Sequence, residues 1–236
     1  MKISFLLIGL LLACSAAFAE PRVWTLKNGK TLEAEFVSMI GGKVSLKTDR
    51  GKVIKVPEED MSAEDITYIE LSSPPDLDLS ASRTTKQRVF ADSLSELPSA
   101  MYNDFTAVVK QKSTRPYNHE LTLEFFVVGE EKAGDKFILL DYKKENFRLS
   151  DGSRSVFELP SKTIELIEFE MNGQLRGELY EGYMLVVTDS RGEVIAHRAK
   201  NEDWFTHIEN LRKLPVGKMF DDNCERAWPT RPKRFY

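Results

Sequence analysis

Three histidines, two cysteines and 37 acidic side chains are the residues of this chain whose types suit catalysis or metal binding. His119, His197 and His207 fall on two predicted strands and a predicted helix, with no His-x-His, His-Glu-x-x-His or Cys/His cluster among them. A zinc ion would therefore lack ligands at the spacing it needs, and no cofactor is expected. Neither a Gly-x-Ser-x-Gly elbow, nor a glycine-rich phosphate loop, nor Ser-x-x-Lys with its companion motifs occurs. Asp189, Ser190 and His197 come close along one predicted hairpin and carry the residue types of a nucleophilic triad. The string Asp189-Ser190-Arg191-Gly192 has the composition of a tight turn, however, which accounts for the first two without catalysis. Acidic residues are abundant enough that a hydrolase with a glycosidase-like carboxylate pair stays open as an alternative, although most occupy predicted turns or outward strand positions. The preferred expectation is a protein that is not an enzyme.

The chain has 236 residues, 42% hydrophobic and 30% charged, with 33 Lys plus Arg against 37 Asp plus Glu and a formal net charge of -4. That is globular composition, and the balance of charge disfavours both a polybasic nucleic-acid binder and an acidic disordered chain. Residues 1–19 read as a secretory signal peptide: Lys2 precedes an apolar run from Phe5 to Ala13, and Ala17-Phe18-Ala19 supplies small residues for cleavage before Glu20. The protein is thus expected to be exported, periplasmic or extracellular in a bacterium, with no transmembrane segment in the mature chain. Leu11-Leu12-Ala13-Cys14 offers an alternative, a lipobox with an atypical Leu, which would anchor the protein through Cys14. Cys224 is then the one remaining thiol, and an inert, half-buried residue is expected there.

Residues 20–71 repeat period-two patterns between turn signals. Val23 to Leu26 precede Asn28-Gly29; Leu32, Ala34 and Phe36 alternate with Glu33 and Glu35; Gly41-Gly42, Lys43 to Lys47, Arg50-Gly51 and Val53 to Val56 follow. Asn-Gly and Gly-Gly supply the positive φ that tight hairpins demand, so a four-stranded antiparallel meander is predicted. Pro57 ends it, and Ser62-Ala63-Glu64-Asp65 caps a short helix with Ile66 and Ile69 on one face. With Val44 and Leu46 inward, Lys43, Lys47 and Lys55 project outward as a candidate basic surface for an acidic peptide or anionic glycan, the plain alternative being a solvated face. Trp24 and Phe36 read as core rather than as an aromatic groove.

Several strings in this segment carry a resemblance: Arg22-Val23-Trp24-Thr25, Gly29, Glu33 to Val37, Gly42 to Leu46, Gly51 to Pro57, Met61 to Asp65, and Tyr68-Ile69. Together they resemble the SLA homology domain one family, an SH3-like module first described in a fungal endocytic adaptor and also found in exported bacterial proteins. The resemblance implies a small SH3-like barrel and, at most, protein or peptide binding; the family's fungal member binds Asn-Pro-Phe-x-Asp peptides, partners that an exported bacterial protein does not meet.

Ser72-Ser73-Pro74-Pro75-Asp76 and the polar stretch after it read as a linker over 72–85. Residues 86–236 read as a larger β-rich domain of about seven strands, sandwich-like in the immunoglobulin style. Leu121 to Val128, Phe137 to Leu140 and Tyr183 to Val187 are apolar on both parities, the pattern of central strands covered on two sides. One C-terminal helix is expected, capped by Asn201, with Trp204, Phe205, Ile208 and Leu211 as its apolar stripe and Pro215 beyond its end. The irregular tail closes on the basic Arg231-Pro232-Lys233-Arg234. The fold class is therefore mainly β, and the expected role is an adaptor-like protein that binds a protein or peptide partner and no nucleic acid. The alternative of cell-envelope polysaccharide binding would use Tyr180 and Tyr183 as stacking platforms beside Gly177 and Gly182.

Overall fold

The structure, a computed structural model, describes residues 21–87, 99–113, 117–149, 155–171 and 173–231. The leader 1–19, its cleavage before Glu20, the lipobox Cys14 and the tail beyond Arg231 lie outside the described residues. The protein is mainly β, as its periodicity predicts, and divides into two units between Ser73 and Pro74.

The first unit is an antiparallel sheet in the order β1-β2-β3-β4, formed by Arg22–Thr25, Thr31–Ile40, Lys43–Lys47 and Val53–Pro57. Gly41 and Gly42 take φ of 59° and 69° in the β2–β3 turn, a region that costs a side-chain-bearing residue energy. A 3-10 turn, Glu58–Asp60, leads to helix α1, Ala63–Leu71, where the Ser62 hydroxyl accepts the Asp65 amide. One face of the sheet and the helix bury Trp24, Val44, Leu46, Met61 and Ile69 together. Trp24 and Phe36 belong to this core, and the Trp24 indole N–H donates to the Ala34 carbonyl at 2.8 Å. The expected small barrel is corrected: the sheet is open, since β1 and β4 are edges that do not pair.

The second unit is one nine-stranded sheet. Its strands are β5 (Leu77–Gln87), β6 (Ser99–Gln111), β7 (Leu121–Glu131), β8 (Phe137–Phe147), β9 (Val156–Pro160), β10 (Ile164–Met171), β11 (Gln174–Thr188), β12 (Val194–Ala199) and β13 (Met219–Phe220). The main path runs β13-β8-β7-β11-β10-β6-β5, with β12 on β11 and β9 on β6. β11 joins the halves, pairing with β10 through Gly177 and with β7 from Glu178 onward. Gly177 has φ of 139°, and a Cβ there would stand 2.1 Å from the Ile167 carbonyl oxygen, so the crossover requires glycine.

The sandwich expectation holds for the layering and not for the connectivity. Leu79, Phe105 and Leu166 from one half meet Leu123, Phe125 and Leu185 from the other in a shared core, yet the halves are a single sheet folded on itself. On β7, Leu121, Leu123, Phe125 and Val127 enter that core, whereas Phe126 and Val128 enter a second one with Met184, Trp204, Leu211 and Phe220. Its two-sided apolar pattern is thus the signature of the middle layer. The single C-terminal helix is corrected to two, α2 (Glu202–Thr206) and α3 (Ile208–Lys213), broken at His207 with φ −106° and ψ 26°. Asn201 caps the first through its side chain, as predicted.

The linker over 72–85 is corrected as well. β5 pairs with β6 along its whole length, from Leu77 opposite Gln111 to Gln87 opposite Met101. Only its alternate residues near Leu79 are buried, and the residues beyond Ala81 are exposed, which gives an edge strand the polarity of a connector.

A buried carboxylate holds the first unit together. Asp65 is 2% exposed; its side chain accepts the Thr25 amide at 2.7 Å and the Arg22 Nη2 at 3.0 Å. Asp65→Asn is expected to lower the stability of this unit by about 1.5–3 kcal/mol, the worth of hydrogen bonds to a charged group. Glu64→Gln, altering a side chain that is 89% exposed, is expected to change it by less than about 0.5 kcal/mol. Denaturant unfolding followed by the fluorescence of buried Trp24 distinguishes the two.

Candidate functional site

The β3–β4 hairpin places the three predicted lysines. Across the pair, Lys43 is opposite Pro57, Ser45 opposite Lys55, and Lys47 opposite Val53. Residues opposite one another share a face, so Lys55 sits on the outer surface beside Ser45, flanked along β3 by Lys43 and Lys47. Val44 and Leu46 point into the core between them. All three lysines are exposed, and among the described residues none has a carboxylate within ion-pair distance. β2 contributes acids to the same sheet, with Glu35 opposite Lys47 and Glu33 next to it in register. The sheet is thus polarised from an acidic β2 to a basic β3 and β4.

Beside the hairpin runs an open groove of about 710 Å³, bounded by Lys27, Lys43, Pro57, Glu59, Met61 and Ile66. Apolar atoms from Met61, Ile66 and Pro57 line it, and charges of both signs stand at its rim. Sequence reasoning found Lys43 and missed the groove, because Met61 and Pro57 are brought to it by the 3-10 turn, which has no periodic signature.

Elsewhere the residues named for chemistry are committed to structure. The Asp189 carboxylate accepts the Arg191 amide at 2.9 Å, the Arg191 Nε at 2.9 Å and the Glu193 amide at 3.0 Å, so it belongs to its own turn. His197 contacts Glu202 at 3.1 Å and stacks on Phe205 at 3.8 Å, which removes the triad. His119 lies in the segment before β7, and His207 at the break between α2 and α3. Among the described residues no group of three His, Cys, Asp or Glu side chains stands together as a metal site. Tyr180 and Tyr183 are half-buried and pack against the larger core, with the Tyr180 ring 4.8 Å from Phe105 and 4.7 Å from the Arg83 guanidinium.

The buried carboxylates of the second unit are paired in the same manner. Glu124, with a side chain 2% exposed, is bonded by Arg212 and by the Tyr142 hydroxyl at 2.6 Å; Arg212 also reaches Glu209 at 2.5 Å. Burial opposes ionisation of Glu124, but the hydrogen bonds from Arg212 and Tyr142 and the Arg212 charge outweigh it and hold the carboxyl below its ordinary value. An acid of this kind stays ionised and is a poor proton donor. Glu131 is bonded by Arg176 at 3.4 Å and by the Thr230 amide at 3.1 Å, which secures the C-terminal segment. Burial, aided by Asp221, Asp203 and Asp222, pushes the Cys224 thiol up to about 12, so the thiol is unreactive near neutrality.

The first unit is thus an open four-stranded sheet closed by one helix, with an exposed groove at one end of its β3–β4 hairpin. Residues 15–74 match the family model of SLA1 homology domain 1 (SHD1), ending within one residue of the boundary between the units. The match covers the first unit and not the second. No curated protein matches the chain. Among solved structures, a crystal structure of a protein from Akkermansia muciniphila is 16% identical over 57% of this chain and 78% of its own, with a TM-score of 0.30. Among the described residues no helix is long and apolar enough to cross a membrane.

Two outcomes follow from the buried groups. Because the folded-state pKa of Glu124 is depressed, its contribution to stability is present above the unfolded value near 4.5 and is lost as pH falls below it. Urea unfolding at pH 7 and pH 3.5 is expected to show that loss in the wild type and a shallower one in Glu124→Gln. Cys224 is expected to resist iodoacetamide at pH 8 in the native protein and to react within minutes in denaturant, read by mass.

Proposed function

We propose that this is an exported, non-enzymatic, adaptor-like protein whose first unit recognises a peptide or protein partner and whose second unit serves as a rigid scaffold. The observation that carries the reading is the match of the first unit to SHD1, together with a groove of about 710 Å³ that Lys43 borders and, on the same sheet face as Lys43, the exposed Lys47 and Lys55, which lack ion-pair partners among the described residues. Recognition needs no covalent step: apolar atoms of the ligand enter against Met61 and Ile66, and its charges settle against the lysines. Exposed charges of this kind raise the association rate and select the partner's sign more than they add affinity. Export is proposed from the leader at 1–19, and the second unit supplies mass and stability through its two cores.

The test is a differential capture from the producing cell's envelope fraction, using the mature chain and the triple variant Lys43→Glu, Lys47→Glu, Lys55→Glu. The wild type is expected to retain a defined partner that the variant loses by about tenfold or more, equivalent to about 1.4 kcal/mol. Recovery of the same proteins by both would defeat the assignment of binding to this surface. Intact mass of the native protein is expected to start at Glu20; a diacylglyceryl mass on Cys14 would replace soluble export with a membrane anchor.

A further inference from the structure

The two edges of the small sheet differ in a way that the lysines alone do not reveal. The Thr48 amide donates to the Lys52 carbonyl at 3.0 Å, and the Glu58 amide to the Gly42 carbonyl at 2.9 Å. These bonds at either end of the hairpin fix the phase of the ladder between β3 and β4. Residues 46 and 54, and 44 and 56, exchange main-chain bonds; 47 and 53, 45 and 55, and 43 and 57 do not. The N–H and C=O groups of Val53 and Lys55, and the C=O of Pro57, therefore point away from β3. Among the described residues nothing bonds to them.

At the other edge the same phase argument starts from the Leu26 amide, which donates to the Lys30 carbonyl at 2.9 Å and turns Val23 and Thr25 outward. There the chain covers itself. The Thr25 amide donates to Asp65 Oδ2 at 2.7 Å, its carbonyl accepts the Ser62 amide at 3.0 Å, and Leu26 bridges to Met61.

An open edge invites pairing, and its side chains decide with what. On the outer face Val53 is 51% exposed and Lys55 is exposed, with Lys43 and Lys47 on the adjacent strand. Glu33 and Glu35 lie on β2, two strands and about 10 Å from β4. A second copy of this chain is a poor occupant: antiparallel pairing of two β4 strands about Lys55 sets lysine against lysine, with Lys43 and Lys47 of both copies on the same face. Like charges directly opposite destabilise a sheet. The charge that rejects such a copy favours an acidic strand.

We propose that β4 is a strand-addition site for an extended acidic peptide. The ligand pairs with the outward main-chain groups of Val53 and Lys55, places Asp or Glu on the outer face against Lys55, Lys47 and Lys43, and turns apolar residues toward the side of Ile54 and Val56. This inference rests on the binding role proposed above and adds a conformation and a charge to the ligand.

The probe is the synthetic peptide acetyl-Thr-Glu-Val-Glu-Val-Glu-Thr-amide, added to the isotope-labelled mature chain. Amide hydrogen exchange at Val53 and Lys55 is expected to slow by about tenfold or more on saturation, since each amide gains a partner. Replacing the three Glu of the peptide by Lys is expected to weaken binding by about tenfold or more. Val53→Pro removes one outward N–H and is expected to abolish binding with the circular dichroism of the protein unchanged; should that variant not fold, exchange in the wild type still decides. Binding with exchange at Val53 and Lys55 unchanged, and with shifts centred on Met61 and Ile66, overturns strand addition and leaves the binding role standing. Absence of binding at about 1 mM also overturns it, the differential capture then judging the first unit independently. A dimer in sedimentation with both amides protected before any peptide is added overturns it in favour of a second copy.

Discussion

The carboxylate of Asp65 is the constraint on which the small unit's shape depends. It is buried, it accepts both a main-chain amide of β1 and the guanidinium of Arg22, and its own amide is capped by Ser62. Arg22 in turn lies 4.4 Å over the Tyr68 ring and 5.7 Å from the Trp24 ring. One side chain thus fastens the start of α1 to the outer edge of β1 and orients the aromatic residues of the core. A sheet of four strands is small, and packing against a helix is what gives it independent stability. Because the helix enters along β1, it closes that edge and leaves β4 uncovered. The asymmetry between the two edges follows from where a structural carboxylate sits.

In the second unit the same economy of charge has the opposite effect. Glu124 with Arg212 ties α3 to the middle layer, and Glu131 with Arg176 ties the C-terminal segment to β7 and β11. Buried ion pairs of this kind contribute little net stability against well-packed apolar residues, but removing one partner is costly. They fix position: α2 and α3 pack through Trp204 and Leu211 onto Phe126, Val128 and Met184. Both carboxylates are thereby committed to holding chain segments in place.

The sequence made the faces legible and left the edges obscure. Asn28-Gly29, Gly41-Gly42 and Arg50-Gly51 marked the hairpins because positive φ is a local demand, met by all four glycines. Ser62 and Asn201 announced helix starts for the same local reason, and the double-sided apolar run of β7 announced a middle layer. β5 was lost among linker residues because an edge strand needs only a few buried side chains; Leu77, Leu79 and Ala81 at alternate positions were its one signal. Asp65 resembled an ordinary first-turn acid, since nothing local tells a solvated carboxylate from one that receives a strand 40 residues away. The union of two layers into one sheet depended on Gly177, whose requirement comes from a carbonyl on β10.

The lysines show how far a face can be read before an edge must be seen. Alternation alone puts Lys43, Lys47 and Lys55 outward, and outward lysines on a sheet also serve to discourage aggregation. Those two roles are not rivals once the hydrogen-bond phase is known. A cation at an open edge repels cationic strands and exacts a desolvation cost from neutral ones, while it attracts strands whose own side chains are acidic. Pro57 limits the length of such a pairing by lacking an amide, and the Arg50-Gly51 turn limits it at the other end. A site bounded in that way supplies few main-chain bonds, so its selectivity rests on charge and on the side chains flanking Val53 and Lys55.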